Sequence, residues 1–140
     1  LDRSSAASDV YKRQVERVAK NNGYDSFLMF NVYAQRATRP NDMERVCNEA
    51  LHRANMEAFD YILSLSEQPA VWAAWGNIIE QRAYLKDCLA DMIAIGERHG
   101  AQWYTAGRRS VKGHPHHPLY LKATSPLDAF DIRAYCAECL

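Results

Sequence analysis

The feature that most constrains the fold is an alternation of short apolar runs with long amphipathic stripes. The runs SFLMFNVY (26–33), AVWAAW (70–75) and AQWYTAG (101–107) lack polar alternation, which is typical of strands buried on both faces. Between them, apolar residues recur at spacings of three and four, the pattern of helices that cover a sheet. Strands that alternate with such helices form right-handed βαβ crossovers. The pattern therefore predicts a parallel sheet.

The boundaries of the helices can also be predicted. Asn41 followed by Glu44 resembles a capping box and predicts a helix from about Asp42 to Ser66. Asn77 and Glu80 repeat this signal before a second long helix. The final stretch, TSPLDAFDIRAYCAECL, has a pattern compatible with a further helix. The expected fold class is α/β: a three-layer sandwich with a short parallel sheet of about three strands flanked by helices.

The first residues, 1–14, differ from the rest of the chain. LDRSSAASDVYKRQ begins with Leu1 and has neither apolar periodicity nor a helix-start signal. It resembles a translated adapter sequence, and a disordered polar tail is the alternative. We therefore expect 1–14 to be non-native or disordered. Residues 15–140 are expected to form a single α/β domain that is incomplete at its N-terminus and lacks one or more strands.

Composition excludes several classes of protein. A chain of 140 residues can bury one core, and its net charge of zero provides no general attraction for a polyanion. No apolar run is long enough to cross a bilayer and no signal peptide is recognisable, so we expect a cytoplasmic protein without membrane association. The four cysteines are too few for a disulfide framework and are expected to be reduced. No glycine-rich phosphate loop appears, so no nucleotide cofactor is expected.

One edge of the predicted sheet is basic. Ligands of open parallel sheets bind at the carboxyl ends of the strands. The loops expected there carry five basic residues and three histidines: Arg36, Arg39, Arg108, Arg109, Lys112, His114, His116 and His117. The Gly76-Asn77 turn could add backbone amides for one phosphate. This charge predicts an anionic ligand such as a phosphate backbone or nucleotide, although arginines also favour solvated loops for no functional reason.

The stretch KGHPHHPLYL (112–121) concentrates the histidines. His-Pro-His-His lacks the separation usual for histidine pairs at zinc. The single CxxC of Cys136 and Cys139 is a weak metal signal, so no metal site is expected. Prolines on both sides hold the stretch extended, which reduces the entropy lost when a loop grips a ligand. A short edge strand over 119–121 is the structural alternative.

Three of these motifs carry a family resemblance. FNVYAQRATRP, AAWG and GHPHHPLYL resemble the domain-of-unknown-function family sixteen forty-three, which is found in bacteria and their phages. The resemblance covers Val15 to about Leu127. In that family a segment resembling LNPSTAD and an aspartate-rich stretch precede the first helix, and this sequence contains neither. The resemblance therefore implies an N-terminally truncated fragment.

The same layout resembles, more distantly, the uracil-DNA glycosylase superfamily, whose last motif has the form HPSPLS. On that resemblance Asn31 would read the edge of the base and His114 would stabilise the charge developing on it. His116 or His117 would lie near the phosphate-contacting serine, and Leu119 would fill the space left by a flipped base. HPHHPL has one residue more between its prolines than HPSPL, which shifts the register after His114.

The expected function is therefore a nucleic-acid or nucleotide base-binding protein with a glycosylase-like site. Its expected partners are DNA, RNA or a nucleotide. The residue that positions water in that superfamily belongs to the absent upstream segment, so we expect this chain not to complete the hydrolysis. Two alternatives stay open: a non-catalytic nucleic-acid-binding module, and a protein-interaction domain whose basic edge is incidental.

Overall fold

The computed structural model describes residues 3–34 and 42–140. Its helices, in chain order, are α1 (Arg3–Asn21), α2 (Glu49–Ser64), α3 (Ala83–Arg98) and α4 (Ile132–Cys139). A short 3-10 helix, Gly76–Glu80, precedes α3. The strands are β1 (Ala70–Trp72), β2 (Gln102–Ala106) and β3 (Leu127–Ala129). The described chain is thus a mixed α/β protein.

The sheet has the order β1-β2-β3 and is mixed rather than wholly parallel. β1 pairs in parallel with β2, with Val71 opposite Trp103, which confirms the parallel pair predicted at 70–75 and 101–107. β3 pairs antiparallel with β2, with Thr105 opposite Asp128. The chain returns from β2 to β3 without a crossover helix, and such a connection leaves neighbouring strands antiparallel.

The prediction of a strand over 26–33 is wrong. None of these residues is in a strand, and Phe27 and Leu28 are exposed. Only part of the run is covered: Phe30 and Val32 pack against a cluster formed by α2 and α3. The carbonyl of Asn31 accepts a hydrogen bond from the Asn55 side chain (2.8 Å). An apolar run becomes a buried strand only where another strand pairs with it, and side-chain contacts with α2 take that place here.

Both long helices begin later than predicted. Helix α2 starts at Glu49, because the side chain of Asn48 caps it by accepting from the amide of Leu51 (3.1 Å). Helix α3 starts at Ala83 instead of near residue 77. The carboxylate of Glu80 is bound by Lys112 (2.7 Å) and does not close a capping box. The local sequence pattern alone does not distinguish a carboxylate that caps a helix from one that makes a tertiary contact.

The helices lie on both faces of the sheet. On one face, Gly96 of α3 lies against Trp103 of β2: a Cβ at Gly96 would be 2.4 Å from Cζ2 of the indole ring. On the other face, Val18 of α1 packs with Ala106 and Leu121. Five residues join α2 to α3 in a cluster against which Val71 of β1 packs: Met56, Phe59, Leu63, Met92 and Ile95. This arrangement leaves the carboxyl ends of β1 and β2 free to carry loops.

Helix α1 includes residues 3–14, most of the segment that the sequence analysis set apart from the domain. Its C-terminal end is attached to the chain that leads into β3. Asn22, just after the helix, donates from Nδ2 to the carbonyl of Ser125 (2.9 Å) and accepts at Oδ1 from the amide of Leu127 (3.0 Å). Over residues 3–34 and 42–140, no helix is both long and apolar enough to cross a membrane.

Candidate functional site

The loops that leave β1 and β2 meet at one edge of the sheet. Gly76, four residues after β1, donates from its amide to the carbonyl of Pro115 (2.9 Å). Its φ of +63° favours glycine, and a Cβ there would lie 3.4 Å from Cβ of His117. Gly76 is therefore in contact with the histidine loop at the carboxyl edge of the sheet.

The loop after β2 turns tightly before His114. The amide of Ser110 donates to the carbonyl of His114 (2.9 Å), and the amide of His114 donates to Oγ of Ser110 (3.1 Å). Gly113 allows the turn with a φ of +88°. Helix α4 lies against it, since Sγ of Cys139 is 3.7 Å from the carbonyl oxygen of Lys112. These contacts fix the backbone on which His114 is presented.

His114 is buried, with 1% of its surface exposed. Its Nδ1 lies 2.8 Å from the hydroxyl of Tyr135, and that hydroxyl also receives the indole N–H of Trp75 (2.9 Å). An indole nitrogen can only donate, so the tyrosine keeps its single proton for Nδ1 of His114. In the neutral form of the ring, this arrangement leaves the proton on Nε2. Burial raises the pKa of Tyr135 to about 12, so this phenol stays neutral.

Glu80 lies next to the other ring nitrogen. Its Oε1 is 3.2 Å from Nε2 of His114, close enough for an ion pair but without the alignment of a hydrogen bond, so buried Nε2 has no hydrogen-bond partner among the described residues. Its Oε2 accepts from Nζ of Lys112 (2.7 Å). The hydrogen bond from Lys112, followed by the contact with His114, lowers the pKa of Glu80 to about 2. The carboxylate is therefore ionised at neutral pH.

The remaining loop histidines support the loop's own conformation. His117 accepts at Nδ1 from the amide of Leu119 (3.2 Å), and its ring meets that of Tyr11 edge to face at 5.2 Å. Nδ1 of His116 makes a short contact with the carbonyl of His117. Partial desolvation, and then the nearby His116, lower the pKa of His117, which keeps it neutral and able to accept. Leu119 is half-buried.

The basic residues divide into three groups. Arg108 and Arg109 are exposed, and the guanidinium carbon of Arg109 lies 5.6 Å from the ring centre of Phe130. Lys112 is paired with Glu80, so its charge is largely balanced. Arg36 and Arg39 lie outside the described residues. The positive charge at this edge is therefore carried, within the described chain, by Arg108 and Arg109 more than by Lys112.

The two predicted asparagines are not equivalent. Asn77 is exposed in the 3-10 helix beside Gly76 and thus belongs to the same edge. Asn31 is also exposed, but its hydrogen bond is to Asn55 of α2. Contacts of the described residues therefore join Gly76, Lys112 and His114, and they do not join Asn31 to them.

Sequence reasoning missed three members of this site: Trp75, Glu80 and Tyr135. Glu80 was interpreted only as part of a helix-start signal, and Trp75 and Tyr135 were not assigned to the site. The position of Glu80 in the segment after β1, at the edge where ligands of such sheets bind, was the one available signal for it. Nothing in the local sequence indicates that Tyr135 reaches His114.

Within residues 3–34 and 42–140, no group of three or more histidine, cysteine, aspartate or glutamate side chains is arranged to hold a metal ion. All four thiols are free, Cys47, Cys88, Cys136 and Cys139. The site is thus a chain of polar contacts that runs from Trp75 through Tyr135 and the buried His114 to the partly exposed Glu80.

Comparison with known proteins gives a family and nothing more specific. A family model described as "Protein of unknown function (DUF1643)" matches residues 3–119. This range includes Glu80 and His114 and ends before Tyr135. No curated protein and no solved structure matches the chain. Membership of this family is therefore confirmed, over 3–119 rather than from Val15 to about Leu127. The likeness to uracil-DNA glycosylases stays a hypothesis.

Proposed function

Because the chain belongs to the DUF1643 family, whose description names no activity, we propose a function from its site: binding of a nucleotide or a nucleic-acid base at the carboxyl edge of the sheet. The finer form of the proposal is a uracil-DNA-glycosylase-like site in a three-layer α/β domain, with His114 beside the charge of a departing base. The observation that carries it is the convergence of His114 and Lys112 on one carboxylate, that of Glu80.

Two nitrogen donors that lie beside one carboxylate resemble a small oxoanion site. Nζ of Lys112 and Nε2 of His114 lie 2.7 and 3.2 Å from the two oxygens of Glu80. A phosphate or an anionic base presents oxygens of the same charge and size. The Glu80 side chain is 31% exposed and can rotate toward solvent, which would leave both donors to the ligand. Arg108 and Arg109, exposed in the same loop, supply further charge for phosphates.

The His114 tautomer suits this role. Tyr135 holds Nδ1, so the proton on Nε2 is available to an oxygen that becomes negatively charged. Such a donor stabilises developing charge without moving itself, since its ring is buried and held at Nδ1 by Tyr135. A base whose glycosidic bond breaks develops this kind of charge on its carbonyl oxygen.

A non-catalytic binding module is the second candidate. His114 is only 1% exposed, so a ligand group reaches Nε2 only after Glu80 moves. If Glu80 moves only in part, phosphates would bind to Arg108 and Arg109 while the base stays away from the histidine. This form of the proposal predicts binding without chemistry.

Fluorescence anisotropy with a labelled single-stranded oligonucleotide, titrated over a salt series, tests binding. We expect the double variant Arg108→Ala/Arg109→Ala to weaken binding about tenfold or more at low salt and to reduce the salt slope by roughly one to two. The matched control is Arg45→Ala/Arg53→Ala, which removes the same charge from exposed positions before and in α2. Equal effects of the two double variants, or no binding by the wild type at low salt, would contradict the proposal.

A second experiment separates catalysis from binding. A uracil-containing oligonucleotide is incubated with the protein and then with alkali, which cleaves the strand at any abasic site. We expect Glu80→Gln to bind the oligonucleotide more tightly than the wild type, because a neutral amide no longer repels phosphate. Alkali-labile product that disappears in His114→Ala supports the glycosylase-like form. Binding without product supports the non-catalytic module.

A further inference from the structure

Two thiols lie in contact on the side of the molecule formed by α2 and α3. Sγ of Cys47 is 3.9 Å from Sγ of Cys88, and both cysteines are free. Cys88 is in α3 and buried, with 4% of its surface exposed. Cys47 lies two residues before α2 and is only partly buried. The pair therefore has one partly exposed cysteine and one buried cysteine.

The local geometry allows the two sulfurs to approach further. A disulfide bond is about 2.05 Å long, so the sulfurs must close by roughly 2 Å. Cys47 is outside any helix, and its side chain can change rotamer without breaking an α-helical turn. Both thiols also line a small cavity, of about 10 Å³, together with Tyr33 and Tyr84. The two thiols therefore border a small space that protein atoms do not fill.

The backbones around the thiols are already held side by side. Arg82 donates from Nη2 to the carbonyl of Met43 (2.9 Å), and the hydroxyl of Tyr84 donates to the carbonyl of Glu44 (2.5 Å). Both donors lie at the start of the α3 region, and both acceptors belong to the segment that leads to Cys47. A bond between the sulfurs would therefore reinforce an existing contact rather than pull two distant elements together.

We propose that Cys47 and Cys88 form a reversible disulfide when the protein meets a peroxide-class oxidant. The thiolate of Cys47 attacks one oxygen of hydrogen peroxide, the O–O bond breaks, and the products are a sulfenic acid and hydroxide, which leaves as water. The sulfur of Cys88 then attacks Sγ of Cys47, the S–O bond breaks, and the hydroxide leaves with the Cys88 proton as a second water. Two thiols and one peroxide thus give one disulfide and two waters.

The order of these steps follows from the surroundings of each sulfur. Cys47 is the sulfur that a dissolved peroxide reaches, so it reacts first. Burial, and then the contact with Cys47, raise the pKa of Cys88 to about 12, so it stays a thiol until a sulfenic acid forms beside it. A buried thiol adjacent to a sulfenic acid serves as the resolving group and protects the first sulfur from further oxidation.

His52 adds a proton acceptor to the same cavity. Its Nε2 lies 2.7 Å from Oδ2 of Asp91, and its Nδ1 is buried without a hydrogen-bond partner among the described residues. In the neutral form of the ring, a hydrogen bond from Nε2 to the carboxylate leaves Nδ1 as the nitrogen with a free lone pair. A buried acceptor without a partner lowers the stability of the folded protein. His52 lines the same cavity as the two thiols and can accept a proton that one of them releases.

The test uses the full chain in a Cys136→Ser/Cys139→Ser background, in which only the proposed pair remains. After treatment with hydrogen peroxide and alkylation under denaturing conditions, we expect both thiols to be lost and a peptide map to show Cys47 linked to Cys88. Dithiothreitol should restore both thiols. The oxidised protein should also melt at a higher temperature than the reduced one, because the bond restrains the unfolded chain.

Two results would overturn the proposal. One is full alkylation of both cysteines after oxidation, and the other is Cys47 sulfinic acid without any linked peptide. Cys47→Ser serves as the control: its remaining Cys88 should stay reduced under the same treatment, because burial shields it. The peptide map of the wild type needs no substitution and answers the question even if a variant fails to fold.

Discussion

At the scale of single residues, the state of His114 is determined by side chains far from it in sequence. Tyr135 follows it by 21 positions and Glu80 precedes it by more than 30, yet they contact the two ring nitrogens. Tyr135 fixes the tautomer and Glu80 lies beside the remaining proton. The sequence shows that a histidine stands at this edge of the sheet, and only its neighbours decide which nitrogen carries the proton.

Tyr135→Phe tests this arrangement. The variant keeps the ring, which is fully buried, and removes the hydroxyl that bonds both Trp75 and His114. We expect the free energy of unfolding to fall by about 2 kcal/mol, because two buried polar groups lose a partner. Urea denaturation followed by circular dichroism measures the change. Tyr61→Phe, at an exposed position of α2, should change it by less than about 0.5 kcal/mol. Equal stability of Tyr135→Phe and the wild type would show that the hydroxyl contributes nothing.

At the scale of elements, helix α3 packs so closely on strand β2 that there is no room for a Cβ atom at Gly96. Gly96 lies close to the C-terminal end of α3, and its φ is not positive. Its backbone conformation alone therefore does not require glycine. The requirement comes from Trp103, whose ring occupies the space that a Cβ would take. The apolar stripe of α3 predicted that it covers the sheet, whereas the place of closest approach depends on the tertiary packing.

Gly96→Ala has two effects of opposite sign on stability, one from helix propensity and one from the contact with Trp103. In a solvent-exposed helix, this change should stabilise the protein by about 0.5–1 kcal/mol. Here the added methyl group would overlap Cζ2 of Trp103, a rigid ring atom, at 2.4 Å, so we expect a loss of about 1–3 kcal/mol. Thermal unfolding with near-UV circular dichroism measures both the stability and the tryptophan environment. A rise in melting temperature would refute the close contact.

At the scale of the whole molecule, the end of α1 holds together parts of the chain that are more than 100 positions apart. The side chains of Asn21 and Asn22 bond the carbonyls of Ala123 and Ser125, and Asn22 also accepts from the amide of Leu127 at the start of β3. This attachment joins the N-terminal helix to the third strand. It also secures the chain that follows the histidine loop.

Asn22→Ala should therefore loosen β3 as well as the end of α1. We expect a loss of about 1–3 kcal/mol, because the carbonyls of Val18 and Ser125 and the amide of Leu127, all part-buried, lose their side-chain partner. We also expect faster hydrogen exchange at the amide of Leu127. Asn21→Ala is the control, since it removes one exposed hydrogen bond and leaves the β3 amide untouched. Unchanged exchange at Leu127 in Asn22→Ala would show that β3 does not depend on α1.

The sequence by itself determined the α/β class, the long helices before each of the two parallel strands at 70–75 and 101–107, and the position of the histidine loop after the second of these strands. Local periodicity suffices for these, because burial on one or two faces repeats along each element. Only the tertiary structure decided that 26–33 is not a strand, that β3 is antiparallel, and that Glu80 and Tyr135 contact His114. Each depends on a partner distant in sequence, and local patterns contain no information about which distant residue comes into contact.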